Sequence, residues 1–384
     1  MIPYSTQKIS LRDRIAVFAS LGSAFLTQGP SVEKFETRLA AYVGSKHAVA
    51  LNSATSALHV ACLALGLNRG DTLWTTPISF VASANCGAYC GADVDFVDID
   101  PGTFNMSVPE LKRKLAEASA AGSLPKVLVV VHLAGEPAPI MEIRNLTSPY
   151  GIKVIEDASH ALGSTYFGRK IGSGEFSDIT IFSFHAVKNM TTGEGGMAVT
   201  NEEALANRMR LLRSHGITRD PSAFLVPMEN QSPWHYEQHG LGFNFRMTDF
   251  QATLGLSQLA RLEKFNKRRK NILERYSKSL SHLDGIRFQA SSGTSESATH
   301  LAIICVDNTL RLHIRSALHR EGFATALHYP PIHLQPFYAS KGKYSLPNAE
   351  NYARQAMSLP CHPKLSTRQT RKVSNLIIQE MQKA

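Results

Sequence analysis

Short apolar runs alternate with segments of helical length from about residue 46 to residue 200, and this alternation restricts the possible folds more than any other feature. The runs occupy residues 48–53, 72–77, 94–99, 126–133, 153–157, 178–184 and 196–201. The run KVLVVVHL at residues 126–133 is apolar almost throughout, as expected of a central strand that is covered on both faces. Strands separated by helices indicate α/β units. The sequence therefore predicts an α/β fold with a mostly parallel central sheet.

The character of the chain changes after a long helix that we predict at about residues 247–280. A strand-like run follows at residues 301–307, with helical patterns at 309–321 and 365–382. This order of elements is typical of a second, smaller unit packed against the first. We therefore expect a large domain over residues 1–255 and a small α+β domain over residues 256–384.

The net charge of +10, from 41 Lys+Arg against 31 Asp+Glu, is compatible with nucleic acid, a membrane surface or an anionic small molecule as partner. The densest basic stretch is KFNKRRK at residues 264–270, and apolar residues flank it at helical spacing. We interpret it as the solvated face of a long helix. No recognisable nucleic-acid module accompanies it, so we expect no nucleic-acid partner.

The sequence contains no run that approaches the ~20 apolar residues needed to cross a bilayer, so we expect no membrane partner. The segment IAVFASLGSAFL at residues 15–26 loosely resembles a secretory signal, but serine and glycine dilute it, and we predict a buried helix there. The five cysteines are scattered and form no CxxC pair, which indicates neither a disulfide framework nor a metal site. These features favour a cytoplasmic protein in a reducing compartment.

Three of the predicted strand ends carry reactive side chains, and open parallel sheets bind ligands beyond the carboxyl ends of their strands. The first is NSATS at residues 52–56, where a strand turns into a helix. Backbone N–H groups and hydroxyls at a helix N-terminus suit a phosphate, although such residues are more often only a helix cap. The second is EDASHALGS at residues 156–164, in which His160 follows Asp157 by three residues. This pair could hold a heterocycle or a metal, or form a structural ion pair.

The third strand end is SFHAVKNMTTGEGG at residues 183–196, where Lys188 lies in a glycine-rich loop. A buried ammonium group is costly unless its pKa falls or it is capped covalently, and a Schiff-base lysine satisfies both conditions. Taken alone, the motif is equally typical of an exposed lysine. The three ends together supply a phosphate cradle, a carboxylate and an amine nucleophile. Pyridoxal 5′-phosphate needs all three, so we predict it as the cofactor.

Longer strings make the chain recognisable: it resembles, across nearly its whole length, the sugar-nucleotide aminotransferases among the fold-type-I pyridoxal-phosphate enzymes. The matching strings occupy residues 27–36, 52–59, 75–85, 156–164, 183–196, 213–217, 240–259, 328–333 and 358–363. The strings TTPISF, SHALGS, SFHA with its following lysine, and SLPCH are most similar to the branch that acts in pseudaminic acid biosynthesis. The resemblance implies a PLP-binding large domain with a mostly parallel sheet and a smaller C-terminal domain.

The resemblance also implies roles for residues around the cofactor. Lys188 is the catalytic residue, which would bind the cofactor aldehyde and later move the proton at its C4′ carbon. Asp157 would pair with the pyridinium nitrogen, and His160 would lie near the 3-hydroxyl. Phe80 matches the aromatic residue that stacks on the ring. The residues that match the phosphate cradle are Ala54, Thr55 and Ser183.

Further roles concern the substrate and the assembly. Asn244 matches an asparagine that reaches the phosphate from the other subunit, which implies a homodimer with shared active sites. Arg246 would bind anionic substrate groups, and His328, Tyr329 and His333 match a segment near the sugar nucleotide. For each histidine taken alone, a structural hydrogen-bonding role is about as well supported. The resemblance implies no metal.

The function that we expect from this resemblance is transfer of the amino group of L-glutamate to C4 of a UDP-linked 4-keto-6-deoxy-N-acetylhexosamine, a pseudaminic acid precursor. Alternatives are a 4-aminotransferase for another nucleotide-linked keto sugar, either the D-xylo epimer or a dTDP-sugar, and a non-catalytic regulatory protein on the same scaffold. A sugar dehydratase of the same fold is disfavoured, because those enzymes carry histidine where this chain has Lys188.

Overall fold

The computed structural model describes residues 1–226, 232–291 and 293–383. Its helices are α1 (Leu11–Leu21), α2 (Pro30–Val43), α3 (Ala54–Ala64), α4 (Ala82–Tyr89), α5 (Val108–Ala121), α6 (Ile140–Thr147), α7 (Glu203–Arg213), α8 (Asp249–Leu259), α9 (Leu262–Leu280), α10 (Asn308–Arg320), α11 (Pro336–Ala339), α12 (Pro347–Gln355) and α13 (Thr367–Met381). Its strands are β1 (His47–Leu51), β2 (Thr72–Thr75), β3 (Asp93–Phe96), β4 (Val127–Val131), β5 (Lys153–Asp157), β6 (Thr165–Tyr166), β7 (Arg169–Lys170), β8 (Ile179–Ser183), β9 (Gly196–Thr200), β10 (Ile217–Thr218), β11 (Glu237–Gln238), β12 (Arg287–Phe288), β13 (Ser295–Glu296), β14 (Ala302–Cys305) and β15 (Ala356–Leu359).

A seven-stranded sheet in the order β1-β9-β8-β5-β4-β2-β3 forms the centre of the fold. Neighbouring strands from β3 through to β8 are parallel, and β9 runs antiparallel to both β8 and β1. The predicted α/β fold with a mostly parallel sheet is therefore confirmed. All five residues of β4 are buried, which matches its continuous apolar sequence.

Helices cover both faces of this sheet. Leu128 and Val130 of β4 belong to one apolar cluster, which also contains side chains of α2 and α6. Val127 and Val129 point the other way, into a second cluster that contains side chains of α3 and α7. Burial of each valine or leucine side chain contributes about 1.5–3 kcal/mol. The alternation along one strand thus holds helices on both sides and leaves the strand ends free to carry a site.

Local signals fix the helix that begins at the carboxyl edge of the sheet. Ser53 precedes α3, and its Oγ accepts a hydrogen bond from the N–H of Ser56 at 3.1 Å, which is the geometry of an N-cap. The helix ends at Ala64, and Gly66 follows with a φ of 80°. The chain therefore leaves β1 and enters α3 with the first turn of the helix at the edge where parallel strands end.

A second sheet lies in the C-terminal part of the chain, with three antiparallel strands in the order β12-β14-β15. An apolar cluster joins it to α9, α10 and α13 through side chains such as Tyr276, Ile304 and Val373. Strand β14 matches the strand predicted at residues 301–307, and α10 and α13 match the helical patterns predicted at 309–321 and 365–382. The division of the chain at residues 255 and 256 stays a prediction.

Two sequence-based expectations about helices are wrong. The long helix predicted at residues 247–280 is two helices, α8 and α9, because Arg261 leaves helical geometry with a φ of −124° and a ψ of 5°. The buried helix predicted at residues 15–26 corresponds to α1, which ends at Leu21, and its large apolar side chains are exposed, with Phe18 81% exposed. The buried side chain of α1 is Asp13, which accepts hydrogen bonds from Ser257 and from Arg261. Polar contacts therefore hold α1 on α8 and turn its apolar side outward.

The basic stretch at residues 264–270 is only partly a solvated helix face. Lys264 and Lys267 are exposed, but Arg269 is fully buried, so the interpretation is wrong for this residue. All five cysteines are free thiols. Among the described residues we find no cluster of histidine, cysteine or carboxylate side chains suited to a metal ion. None of the helices described combines the length and the apolarity that a membrane span requires.

Candidate active site

A cavity of about 420 Å³ opens at the carboxyl edge of the central sheet. It collects most of the residues that the sequence singled out. The predicted residues in its lining are Ala54, Thr55, Phe80, Asp157, His160, Ser183, Lys188, His328 and Tyr329. Three elements spread over residues 54–183, the start of α3 and the ends of β5 and β8, thus contribute to one site.

The first turn of α3 forms one wall of this cavity. Ala54 and Thr55 are its first residues, and the N–H groups of a first helical turn have no acceptor within the helix. Ser183 lies at the end of β8 on the same side. Gly196 passes so close that a Cβ there would overlap the backbone of Ser53 and Ala54. A hydroxyl and several amide donors therefore converge at a helix N-terminus, which suits a phosphate group.

Asp157 closes β5, and its carboxylate is buried. Its Oδ1 accepts a hydrogen bond from the N–H of Ser159 at 3.1 Å, and its Oδ2 accepts one from Oγ of Ser83 at 2.5 Å. Ser79 lies 2.7 Å from Ser83 and extends this chain of hydroxyls. Sequence reasoning missed both serines, although their spacing of four residues in the TTPISFVASAN string could have indicated two hydroxyls on one side. The two serines fix the direction of the carboxylate.

Lys188 follows β8, in the loop that continues to the glycines at positions 193, 195 and 196, and its amine faces the cavity. Burial lowers the pKa of this amine to about 8, from its ordinary value of 10.5. Asp157 opposes this change by stabilising the ammonium form, and the positive charge of Arg269 lowers the pKa further. At pH 7 about a tenth of such an amine is neutral, against less than about a thousandth of an ordinary lysine. The site therefore favours a nucleophilic amine.

His160 is buried beside Lys188 and has a defined tautomer. The backbone N–H of Ala134 donates to its Nδ1 at 3.2 Å, so Nε2 carries the proton and donates to Oη of Tyr329 at 3.0 Å. The ring of His300 packs against it with a centroid separation of 4.4 Å. Burial, together with the nearby charges of Lys188 and other cations, holds the pKa of His160 well below its usual range. The imidazole is therefore neutral and acts as a donor.

The mouth of the cavity is aromatic. Phe80 is 57% exposed, and its ring lies 6.1 Å from that of Tyr329. Behind them Nδ1 of His328 lies 2.9 Å from Oγ of Ser358, and Tyr4 packs edge-on against the same imidazole. Burial lowers the pKa of His328 to about 4, with the charge of Lys188 as a smaller cause. Sequence reasoning missed Tyr4, because nothing in its local sequence links it to His328, more than 300 residues further along the chain.

Three predicted residues lie outside the lining of this cavity in the described chain. Asn244 and Arg246 belong to the segment that runs between α7 and the end of β1, where they form backbone bridges to Ser214 and Leu51. His333 is buried, with Nε2 3.5 Å from a carboxylate oxygen of Glu350. The structure thus separates His333 from His328 and Tyr329, although the three are close in sequence.

The residues around the cavity fit pyridoxal 5′-phosphate. The N-terminus of α3 presents donors for a phosphate, a buried carboxylate faces the space where a pyridine nitrogen would be stabilised, and Lys188 is a half-buried amine of lowered pKa. Each of these groups would be costly to bury without a ligand of this chemistry. The chemistry of the site agrees with the cofactor expected from the sequence.

Comparisons with known proteins point the same way. The profile of the DegT/DnrJ/EryC1/StrS aminotransferase family matches residues 8–378. The chain is 37% identical over 373 residues to the spore coat polysaccharide biosynthesis protein SpsC of Bacillus subtilis, which covers 95% of this chain and 93% of SpsC. It is 36% identical over 391 residues to the UDP-4-amino-4,6-dideoxy-N-acetyl-beta-L-altrosamine transaminase of Campylobacter jejuni, covering 100% and 98% of the two chains.

A solved structure resembles the fold over the same extent. Helicobacter pylori PseC, described as an aminotransferase involved in the biosynthesis of pseudaminic acid, superposes with a TM-score of 0.90 at 30% identity. The alignment covers 99% of this chain and 99% of that one.

Proposed function

Because the chain belongs to the DegT/DnrJ/EryC1/StrS aminotransferase family, and is thus a sugar aminotransferase with pyridoxal 5′-phosphate as its cofactor, we propose that it aminates C4 of a UDP-linked 4-keto-6-deoxy-N-acetylhexosamine, with L-glutamate as amino donor. The observation that carries this proposal is the convergence of Lys188, Asp157 and the start of α3 on one cavity. The choice of sugar is supported by the Campylobacter transaminase and by PseC.

When bound, pyridoxal phosphate supplies a carbonyl that reacts with amines and a ring that withdraws electrons from the carbon under attack. Three groups of this chain would hold it. The first turn of α3 and Ser183 would bind the phosphate, and Asp157 would keep a proton on the ring nitrogen. Lys188 would bind the carbonyl carbon. Because Ser83 and the N–H of Ser159 fix the carboxylate, Asp157 can hold that proton without moving.

Lys188 also has the properties of a group that moves a proton. Burial keeps its pKa at about 8, so its amine can accept a proton and return it near neutral pH. His160 does not compete with it as a base, because its Nδ1 already accepts the N–H of Ala134. It donates from Nε2 and keeps the phenol of Tyr329 in the cavity. Lys188 therefore acts as the base, and His160 orients the hydroxyl of Tyr329.

The mouth of the cavity suits a sugar nucleotide. Phe80, which we expect to stack on the cofactor ring, lies exposed at the opening, and His328 and Tyr329 supply polar contacts for the substrate deeper in. The net charge of +10 favours the approach of a diphosphate. We therefore assign the sugar and its diphosphate to this opening, with the keto group directed toward Lys188.

We also propose that the enzyme is a homodimer whose subunits complete each other's sites. Large apolar side chains are exposed on α1 and on the segment before Asn244, with Phe18 81%, Trp234 76% and Leu241 83% exposed. Patches of this kind mark interaction surfaces in folded proteins. Within the described chain Nε of Arg246 is buried without a hydrogen-bond partner. When a second copy covers this surface, Asn244 and Arg246 of one subunit would reach the phosphate cradle and the substrate of the other subunit.

The test of the substrate is direct. The purified enzyme is given L-glutamate and, in separate reactions, the beta-L-arabino and D-xylo epimers of UDP-linked 2-acetamido-2,6-dideoxy-hexos-4-ulose, and NMR identifies the amino sugars. We expect amination at C4 of the L-arabino compound. The aromatic mouth is compatible with other nucleotides, so dTDP-linked 4-keto sugars form a third arm. A clear preference for the D-xylo or the dTDP compound, or amination at C3, would contradict the proposed substrate and leave the family assignment in place.

A further inference from the structure

Arg269 is a fully buried cation in the middle of α9, on the helix whose basic stretch the sequence suggested was solvated. Within the described part of the chain no carboxylate pairs with its guanidinium, and burial lowers the pKa of the group. A buried charge without an opposite charge is costly, so such a residue needs a reason. Its neighbours in α9 show that burial is not required of this stretch, because Lys267 and Lys270 are exposed.

The guanidinium donates instead to the backbone on both sides of the active-site lysine. Its acceptors are the carbonyl oxygens of His300 at 3.0 Å, Val187 at 3.4 Å, Lys188 at 3.4 Å and Cys361, together with Oγ of Ser5 at 3.2 Å. Ser5 in turn donates to the carbonyl of Val187 at 2.9 Å. Arg269 therefore joins the loop that carries Lys188 to the amino-terminal segment and to the residues that follow β15.

This arrangement places a fixed positive charge against the backbone of Lys188, from where it acts on the lysine amine. The titratable groups around Lys188 are Asp157 from β5, His160 from the loop after β5, His300 from the segment before β14, His328 and Tyr329 from the segment after α10, and Arg269 from α9; Tyr4, His185 and Glu194 line the same cavity. Burial lowers the pKa of His160, His300 and His328, and the two charges that act on the amine in opposite directions are Asp157 and Arg269. The carbonyls that Arg269 contacts accept from its two terminal nitrogens, Nε has no hydrogen-bond partner among the described residues, and none of these contacts cancels the charge.

We propose that Arg269 is a positioning residue for Lys188: it clamps the backbone of the lysine loop from behind and places next to the amine a positive charge that keeps the amine neutral and reactive. The proposal rests on the role of Lys188 in the proposed function and is independent of which sugar is bound. A purely structural arginine would need only its hydrogen bonds. A residue that also tunes the lysine must act through its charge, and the two contributions can be separated by substitution.

The experiment uses the full chain loaded with pyridoxamine 5′-phosphate, a form in which the lysine amine is free. Trace labelling with acetic anhydride across a pH series, followed by peptide mass spectrometry, gives the pH at which each lysine becomes reactive. The exposed Lys264 and Lys267 serve as internal references. Wild-type Lys188 is expected to become reactive at a pH well below theirs.

Two variants of Arg269 separate charge from clamp. Arg269→Gln keeps N–H donors and removes the charge. We expect the midpoint of the labelling curve of Lys188, the pH at which half of its amine is reactive, to rise by about one pH unit. Arg269→Lys keeps the charge, and its midpoint is expected to stay near that of the wild type. The matched control is Arg268→Gln, because the neighbouring Arg268 donates to the carbonyl of Leu365 instead and is expected to leave the midpoint unchanged.

A substitution at Ser5 offsets the charge of Arg269 without changing α9 itself. Ser5→Asp places a carboxylate beside the guanidinium, so the midpoint of Lys188 is expected to rise, whereas Ser5→Asn should leave it unchanged; this pair decides the matter if Arg269→Gln does not fold. An unchanged midpoint in folded Arg269→Gln, or in Ser5→Asp where the former does not fold, would overturn the proposal. Borohydride reduction of the pyridoxal-phosphate form is run in parallel. Failure to attach the cofactor to Lys188 overturns the proposed role of the lysine itself, whereas attachment with an unmoved midpoint overturns only the inference about Arg269.

Discussion

The backbone N–H of Ala134 donates to Nδ1 of His160 at 3.2 Å, and this one bond determines what the histidine can do. It places the imidazole proton on Nε2, where it reaches Oη of Tyr329 at 3.0 Å. Ala134 has a φ of 59°, an unusual conformation for alanine that the surrounding structure must hold in place. The tautomer of an active-site histidine is thus set by the backbone of a loop after β4.

Removal of the hydroxyl of Tyr329 tests the hydrogen bond between this residue and His160. Tyr329→Phe leaves the buried Nε2 proton of His160 without its acceptor, so we expect the free energy of unfolding to fall by about 1–3 kcal/mol and kcat to fall roughly ten- to hundredfold. Urea denaturation and steady-state kinetics measure the two. Tyr338→Phe is the matched control, because the Tyr338 hydroxyl also takes part in one side-chain hydrogen bond, as the donor to Asn85, but lies outside the cavity lining. Equal losses of kcat in both variants would contradict a role for Tyr329 in the site.

The carboxylate of Asp157 gives a second prediction. Asp157→Asn keeps the size of the side chain but cannot keep a proton on the ring nitrogen, so we expect activity to fall by roughly 10²–10⁴-fold while the variant still binds pyridoxal phosphate. Ser83→Ala retains the carboxylate and removes the 2.5 Å bond that orients it, and a smaller loss is expected. Cofactor titration by fluorescence and initial rates distinguish the two effects. An Asp157→Asn enzyme of normal rate would remove this residue from the mechanism.

Shared active sites predict complementation between two inactive variants. Lys188→Ala and Asn244→Ala each inactivate their own homodimer, but a mixed dimer has one site that contains both native residues. Since half of the dimers in an equal mixture are mixed and each has one intact site of two, roughly a quarter of wild-type activity should return. Activity after mixing and re-equilibration is the measurement, and mixing two Lys188→Ala preparations is the control. No recovery in a preparation shown to contain mixed dimers would disprove the shared site.

Acid should destabilise the protein through its buried histidines. Burial lowers the pKa of His328 to about 4, so between that value and 6.5 the unfolded chain binds more protons than the folded one. Stability is therefore full above about pH 6.5 and is lost as the pH falls toward 4, by about 3 kcal/mol for this residue. His328→Asn should flatten the pH dependence of the free energy of unfolding, whereas His282→Asn, at an exposed position, should not. Parallel pH profiles for all three proteins would show that His328 does not titrate in this way.

Much of the fold was predictable because the apolar or polar character of each strand sequence indicates whether that strand is buried. The apolar run at residues 126–133 identified the buried β4, and KVIED at residues 153–157 coincides with β5. The positions of Asp157 and Lys188 followed from the rule that parallel strands end at one edge. Each of these inferences needed only local sequence and a general rule of topology.

The missing parts depend on contacts between distant segments. Tyr4 reaches the site from the amino-terminal segment, and no local pattern indicates that; the spacing of Ser79 and Ser83 indicates two hydroxyls on one side but not the carboxylate that they approach. The apolar residues of α1 suggested burial, but amphipathicity does not say which molecule covers the apolar side, and in this chain they point outward. The prediction of a solvated face was wrong for Arg269 for a related reason: a run of charged residues does not show which of its side chains points inward.

The most direct test of the account is the site of cofactor attachment. Purified protein loaded with pyridoxal 5′-phosphate is reduced with borohydride, digested and examined by mass spectrometry, with a second sample treated with L-glutamate first. We expect the peptide containing Lys188 to carry the phosphopyridoxyl mass, and prior glutamate to abolish most of this label because the amino group has moved to the cofactor. Attachment at a different lysine, or a Lys188→Ala enzyme that still completes the glutamate half-reaction, would contradict it.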